Sequence, residues 1–255
     1  MKQKILLLSE ARHGTTYTIN ELKSSSQHSS VKDMVICYEP LSRGLEQKKQ
    51  CYDCLKSLNF SGEFDNSLVF SKLHEFYNNF MDVVDGCSKD IFVMKVFVSQ
   101  IYYTKYEKDS KNFPKTTMKI QDVISRFDKV IILNRNFKEY IFSHANAYHF
   151  PKNEQSWHIS TRGDKKDDFI LQPKMLTEYS KILKNREHCF SETRKYCAKH
   201  NKEILELDYK NLGSFHKEFA KFAGINKLKC STKFEPIKHN YETFLKLNPS
   251  VQDLF

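Results

Sequence analysis

Three groups of residues along the chain have the types and spacing to do chemistry. The first is Arg12-His13-Gly14-Thr15-Thr16, which follows the apolar run Ile5-Leu6-Leu7-Leu8. A strand that ends in a polar turn with one glycine, and then opens a helix on two hydroxyl residues, makes an anion cradle. The first N–H groups of a helix have no intrahelical partner, and the helix dipole puts positive charge at that end. Arg12 adds a fixed charge, and Gly14 lets a ligand approach the backbone. The loop is not a Walker loop, which needs a second glycine followed by lysine. The second group is Arg135, Asn136 and Ser143, after the apolar run Val130-Ile131-Ile132-Leu133. A guanidinium, and a hydroxyl two helical turns further on, can hold a phosphate through charge-assisted hydrogen bonds. The third is Glu39, where the run Met34-Val35-Ile36-Cys37 gives out before Pro40. A carboxylate at the end of a strand can act as a general base.

These residues need elements to carry them. The spacing predicts strands at about 5–8, 34–37, 90–98, 129–134 and 203–207, with helices between them. The helices run over about 16–25, 45–58, 67–84, 120–127, from Phe137 onward, and from Pro173 to about His200. A further helix spans about 214–223, stopped by Gly224, and a weak one about 241–247. Alternation of strand and helix predicts an α/β fold in three layers, a central and mostly parallel sheet with helices on both faces. Ligands of such sheets bind beyond the carboxyl ends of the strands. If the strands are parallel, Arg12, Glu39 and Arg135 share that edge. Lys95 interrupts the apolar strand Asp90–Val98. It either reaches a solvated edge or serves the site. Residues 150–172 are polar and irregular, the pattern of a lid or substrate loop. No repeat or linker divides the chain, so one domain over residues 1–255 is expected.

Composition sets outer limits. At 255 residues, 40% hydrophobic and 13% aromatic, the chain can build a large core. Lys and Arg exceed Asp and Glu by ten, 41 against 31, which favours an anionic partner. Seven cysteines, an odd number without framework spacing, read as reduced thiols. Cys51-x-x-Cys54 has no second pair at zinc-ribbon spacing, so no metal is expected. No secretory signal and no run of membrane-spanning length is seen, so a soluble cytoplasmic protein is expected. Oligomeric state is open.

The motifs together resemble the sulfotransferases that use 3′-phosphoadenosine-5′-phosphosulfate (PAPS). Arg12-His13-Gly14-Thr15-Thr16 is similar to that family's 5′-phosphosulfate loop, and Arg135, Asn136 and Ser143 to its 3′-phosphate element. Val93-Met94-Lys95-Val96 is similar to its central strand, and Ile204 to Leu212 to its late strand and "Tyr-x-x-Leu" turn. The resemblance implies a P-loop-like sulfotransferase fold and in-line transfer of a sulfuryl group from PAPS to a hydroxyl. It also implies adenosine 3′,5′-bisphosphate as product and no metal. Arg12 and Lys95 would then be catalytic, with Arg12, His13, Gly14, Thr15 and Thr16 at the 5′ end and Arg135 with Ser143 at the 3′ end. Tyr38-Glu39-Pro40-Leu41 is similar to the stretch of carbohydrate sulfotransferases that carries a base, which makes Glu39 the base and a carbohydrate or glycolipid the acceptor. His13, His144 and His149 are rival bases. His13 stands where the family has a small residue. Closure over the 3′-phosphate could fall to Thr161-Arg162-Gly163-Asp164 or Ser231-Thr232-Lys233, and stacking to Trp157, Tyr102, Tyr103 or Tyr148.

Two other readings are open. One is a nucleotide kinase-like P-loop enzyme, against which the missing Walker lysine counts. The other is a basic nucleic-acid-binding protein, which the charge permits without any recognition motif.

Overall fold

The computed structural model describes residues 3–10, 13–28, 34–38, 41, 53–58, 73–101, 118–149, 169–226, 228, 234 and 241–254. Their strands are β1 (Gln3–Ser9), β2 (Met34–Tyr38), β3 (Ile91–Phe97), β4 (Lys129–Asn134) and β5 (Glu203–Asp208). They form one sheet in the order β2-β3-β1-β4-β5, and every pairing is parallel. β1 is central and hydrogen-bonded on both sides, which is why its residues Ile5 to Leu8 are apolar without alternation. The helices are α1 (Thr15–His28), α2 (Leu73–Asp85), α3 (Val98–Ile101), α4 (Ile120–Ser125), α5 (Phe137–His149), α6 (Pro173–Lys199), α7 (Phe215–Phe222) and α8 (Glu242–Leu247). Residues 53–57 are also helical, and a 3₁₀ segment, Tyr209–Ser214, joins β5 to α7.

The alternate residues of each strand divide the core in two. Ile5, Leu7, Val93, Ile131 and Leu133 face α1 and α7, through Ile19, Leu22, Phe215 and Phe219. Leu6, Leu8, Phe92, Met94 and Ile132 face α2, α4 and the later part of α6. The three-layer α/β class expected from the alternation is therefore the architecture found. A separate cluster, with Tyr140, Phe142, Phe169, Tyr179 and Phe244, packs around α5.

Boundaries differ where tertiary contacts intervene. α1 runs three residues beyond the expected Ser25. β3 stops at Phe97, and Val98 already begins α3. The expected helix over 214–223 is preceded by the 3₁₀ segment, whose first turn is capped by Asp208 accepting from the Lys210 N–H at 2.9 Å. Of the expected loop 150–172, residues 150–168 lie outside the described residues. Its described end is packed: Phe169 and Leu171 are buried, and Asn248 bonds to the Leu171 N–H and the Phe169 carbonyl. Among the described residues, no helix is long and apolar enough to cross a membrane.

The sheet's position depends on the aromatic stack beneath β3. Phe92 lies between Phe80 and Phe127, with centroids 6.4 Å away on each side. Truncation of Phe92 to alanine is expected to cost about 3–5 kcal/mol through lost burial and the cavity left behind. Urea unfolding at equilibrium reads that loss directly.

Candidate functional site

All five strands run the same way, so Ser9, Tyr38, Phe97, Asn134 and Asp208 end at one edge of the sheet. β1 leads through α1 to β2, which lies on the far side of β3, while β4 leads away to β5. The chain thus leaves neighbouring strands β1 and β4 in opposite directions, the switch point at which open α/β sheets place a ligand crevice. At that edge His13, Gly14 and Thr15 follow β1, Arg135 follows β4 and Tyr209 follows β5.

The first loop is held by contacts that the sequence does not display. Gly14 has φ +84°, a left-handed conformation. A Cβ on it would come within 2.2 Å of Leu212 Cδ1 and 3.2 Å of Tyr209 Cδ2. The glycine is therefore required by the 3₁₀ segment packed against it, apart from any ligand. The Gly14 carbonyl accepts the first bond of α1, from the Thr18 N–H at 3.1 Å. The N–H groups before Thr18 precede the helical ladder. Thr15 is buried and Thr16 exposed, so the two expected hydroxyl ligands face different surroundings. Arg12 and Glu39 lie outside the described residues.

His13 differs from its expected role at the phosphosulfate. It is fully buried, with Nδ1 2.9 Å from the Leu133 carbonyl and the Tyr140 ring edge-on at 5.5 Å. A carbonyl only accepts, so Nδ1 carries the proton and ties the β1 loop to the end of β4. Among the described residues, the buried Nε2 has no hydrogen-bond partner. Burial above all, helped by the charges of Arg186 and Arg135, pushes the imidazole down to about 3, against the upward pull of its bond to Leu133. The ring is neutral at physiological pH. The bond adds a side-chain tie beyond the last β1–β4 ladder pair, Leu8 with Ile132.

Arg135 is buried in the β4–α5 turn. Its guanidinium carbon lies 4.0 Å from the centroid of the Tyr209 ring. Its Nε is 3.8 Å from Glu139, which also bonds to Lys210 at 3.2 Å. Asn136, expected as part of a phosphate element, instead caps α5: its side-chain oxygen accepts from the Lys138 N–H at 3.0 Å. Ser143 is buried on the same helix. Residues 135, 139 and 143 follow at four-residue intervals, so Glu139 falls between the two expected phosphate ligands. The sequence reading passed over this carboxylate, although its i,i+4 spacing from Arg135 was a visible signal.

Lys95 is buried rather than at a solvated edge. Its ammonium lies 4.3 Å from the centroid of the Phe97 ring and 4.9 Å from that of Tyr38. It sits near the carboxyl end of β3 on the face covered by α1. His144, a rival base, bonds instead to the Tyr179 hydroxyl at 3.0 Å. Two buried charges were missed by sequence. Glu10 accepts from the Ser99 N–H at 3.1 Å and its hydroxyl at 2.9 Å, joining the end of β1 to the start of α3. Arg186, on α6, donates to the Arg135 carbonyl at 3.1 Å. The other expected ligands, 161–164, 231–233, Trp157, Tyr102 and Tyr103, lie outside the described residues.

No family model matches the chain, and no curated protein matches it. Among solved structures, thymidylate kinase from Candida albicans aligns with a TM-score of 0.42 at 13% identity, over 91% of this chain and 97% of that one. At this level of similarity it assigns no activity.

Replacing Gly14 with alanine is expected to destabilise the fold by about 2–5 kcal/mol, the sum of a left-handed backbone and an overpacked contact. Denaturant unfolding measures it. His13 makes stability depend on pH. The unfolded imidazole binds a proton near 6.5, and the folded one refuses it until about 3. Its contribution is complete above that unfolded value and is lost as pH falls, by up to about 1.4 kcal/mol per unit. His13→Gln is expected to flatten this acid limb in unfolding curves taken from pH 7 down to about pH 4.

Proposed function

We propose that the chain is a PAPS-dependent sulfotransferase that transfers a sulfuryl group to an acceptor hydroxyl, on a carbohydrate or glycolipid. What supports this reading is that the loop from His13 to Thr16 and the turn at Arg135 follow β1 and β4, neighbouring parallel strands that the chain leaves in opposite directions. A ligand with phosphate groups at both ends needs two such elements. PAPS supplies the activated sulfuryl group, and the chain's contribution is position and charge. The α1 N-terminus and Arg12 would hold the 5′ end and steady charge on the departing phosphate. Arg135 and Ser143 would hold the 3′-phosphate, with Glu139 keeping its bond to Lys210 as the ligand takes up the guanidinium. Lys95 would support the transferring group from β3. Glu39 would take the acceptor's proton. The oxygen of the acceptor attacks sulfur, the sulfur–phosphate bridge breaks, and the electron pair leaves with the 5′-phosphate.

A second reading, a nucleotide kinase-like enzyme, draws on the Arg135–Glu139 ion pair. With that guanidinium already neutralised, the β1 cradle would hold a nucleotide's phosphates by itself. The absent Walker lysine weighs against it.

Adenosine 3′,5′-bisphosphate is expected to raise the melting temperature of the chain, since a ligand that binds only the folded state adds about 2.7 kcal/mol at a hundredfold excess over Kd. Arg135→Ala should remove that shift. Glu39→Ala should keep it while abolishing transfer. No shift at millimolar bisphosphate, together with a shift by Mg-ATP, would overturn the first reading in favour of the second.

A further inference from the structure

Arg186 is a costly residue to place where it is. It sits in the middle of α6, fifty-one positions after Arg135, and is only 4% exposed. A buried guanidinium needs partners of good geometry. Its partners divide by direction. Nη1 donates to the main-chain carbonyl of Arg135 at 3.1 Å. Nε and Nη2 both donate to Glu187, at 3.1 and 2.8 Å, and that carboxylate is 54% exposed. The guanidinium carbon lies 5.2 Å from the centroid of the Phe137 ring. The group is thus fixed by a carboxylate at one side and an aromatic ring near it, leaving Nη1 aimed at one carbonyl.

That carbonyl belongs to Arg135, the residue read above as the 3′-phosphate ligand. The Arg135 N–H is also bound, donating to the Asn134 side-chain oxygen at 2.9 Å. The next residue, Asn136, is committed as the cap of α5. Both main-chain polar groups of Arg135 are therefore held by side chains, in a turn that belongs to neither β4 nor α5. From this turn its side chain reaches over the Tyr209 ring. A lysine at 186 could reach the carbonyl but could not hold Glu187 with two further donors in the same plane.

We propose that Arg186 is a positioning residue for the 3′-phosphate site, holding the Arg135 main chain so that its guanidinium meets a phosphate at that end of the ligand. The inference rests on the reading of Arg135 as a 3′-phosphate ligand. It predicts an effect confined to ligands that carry this phosphate, because the β1 cradle is built from other contacts. General loss of structure would weaken all ligands alike.

The experiment is calorimetric titration of the full chain with two probes, adenosine 3′,5′-bisphosphate and AMP. The unaltered chain is expected to prefer the bisphosphate. Arg186→Lys should reduce bisphosphate affinity by about tenfold or more, as small misplacements of a ligating group do, and leave AMP affinity the same. Glu187→Gln, at an exposed position, should act in the same direction and less strongly. If Arg186→Lys does not fold, Glu187→Gln alone decides. Equal losses for both probes, or an unchanged preference in the variants, would overturn the inference. An unaltered chain with no preference would overturn the reading beneath it, and the inference with it.

Discussion

The contact of Gly14 with Tyr209 and Leu212 is the constraint on which the crevice depends. It joins the loop after the central strand to the turn after the edge strand, across β4. There is no room for a side chain at Gly14, and its backbone takes a conformation that other residues reach only at a cost. Because Tyr209 also lies against the Arg135 guanidinium, one aromatic ring neighbours both the Gly14 loop and the β4–α5 turn. Leu212 and Tyr209 belong to the buried cluster beneath α1 and α7, so this ring is anchored in the core.

The crevice also concentrates positive charge in a place that water scarcely reaches. Arg135 and Arg186 are both buried within one turn and the helix beside it. Each is partly balanced by a carboxylate, Glu139 for the first and Glu187 for the second. His13, in the loop after β1, is held below the usual imidazole range by its burial and by the charges of Arg186 and Arg135. The bond from Nδ1–H to the Leu133 carbonyl ties the loop after β1 to the end of β4.

Much of the fold was legible because periodicity reports burial. The unbroken apolar runs of β1 and β4 announced strands covered on both faces, and their alternation with helices gave the three layers. The helix after Pro173 was legible from its proline and its length. The glycine turn before α1 and the strand end before Arg135 were also legible, since a glycine and an arginine after apolar runs are local signals. Other features were not. The roles of His13 and Asn136 depend on a carbonyl 120 residues away and on the cap of a helix, respectively. Arg186 looked like one more charge on a basic helix, and Glu10 like a polar residue of the loop.

The sequence by itself determined which segments are strands and helices, and which residue types stand at the strand ends. Hydrophobic pattern and turn chemistry are properties of neighbours along the chain. Only the tertiary structure decided the strand order, and therefore that β1 and β4 are the pair whose ends diverge. It likewise decided that Gly14 answers to Tyr209 and Leu212, and that Arg135 is held by Arg186 and faced by Glu139. These contacts join residues far apart in sequence, and their energies depend on burial and direction, which no local pattern encodes.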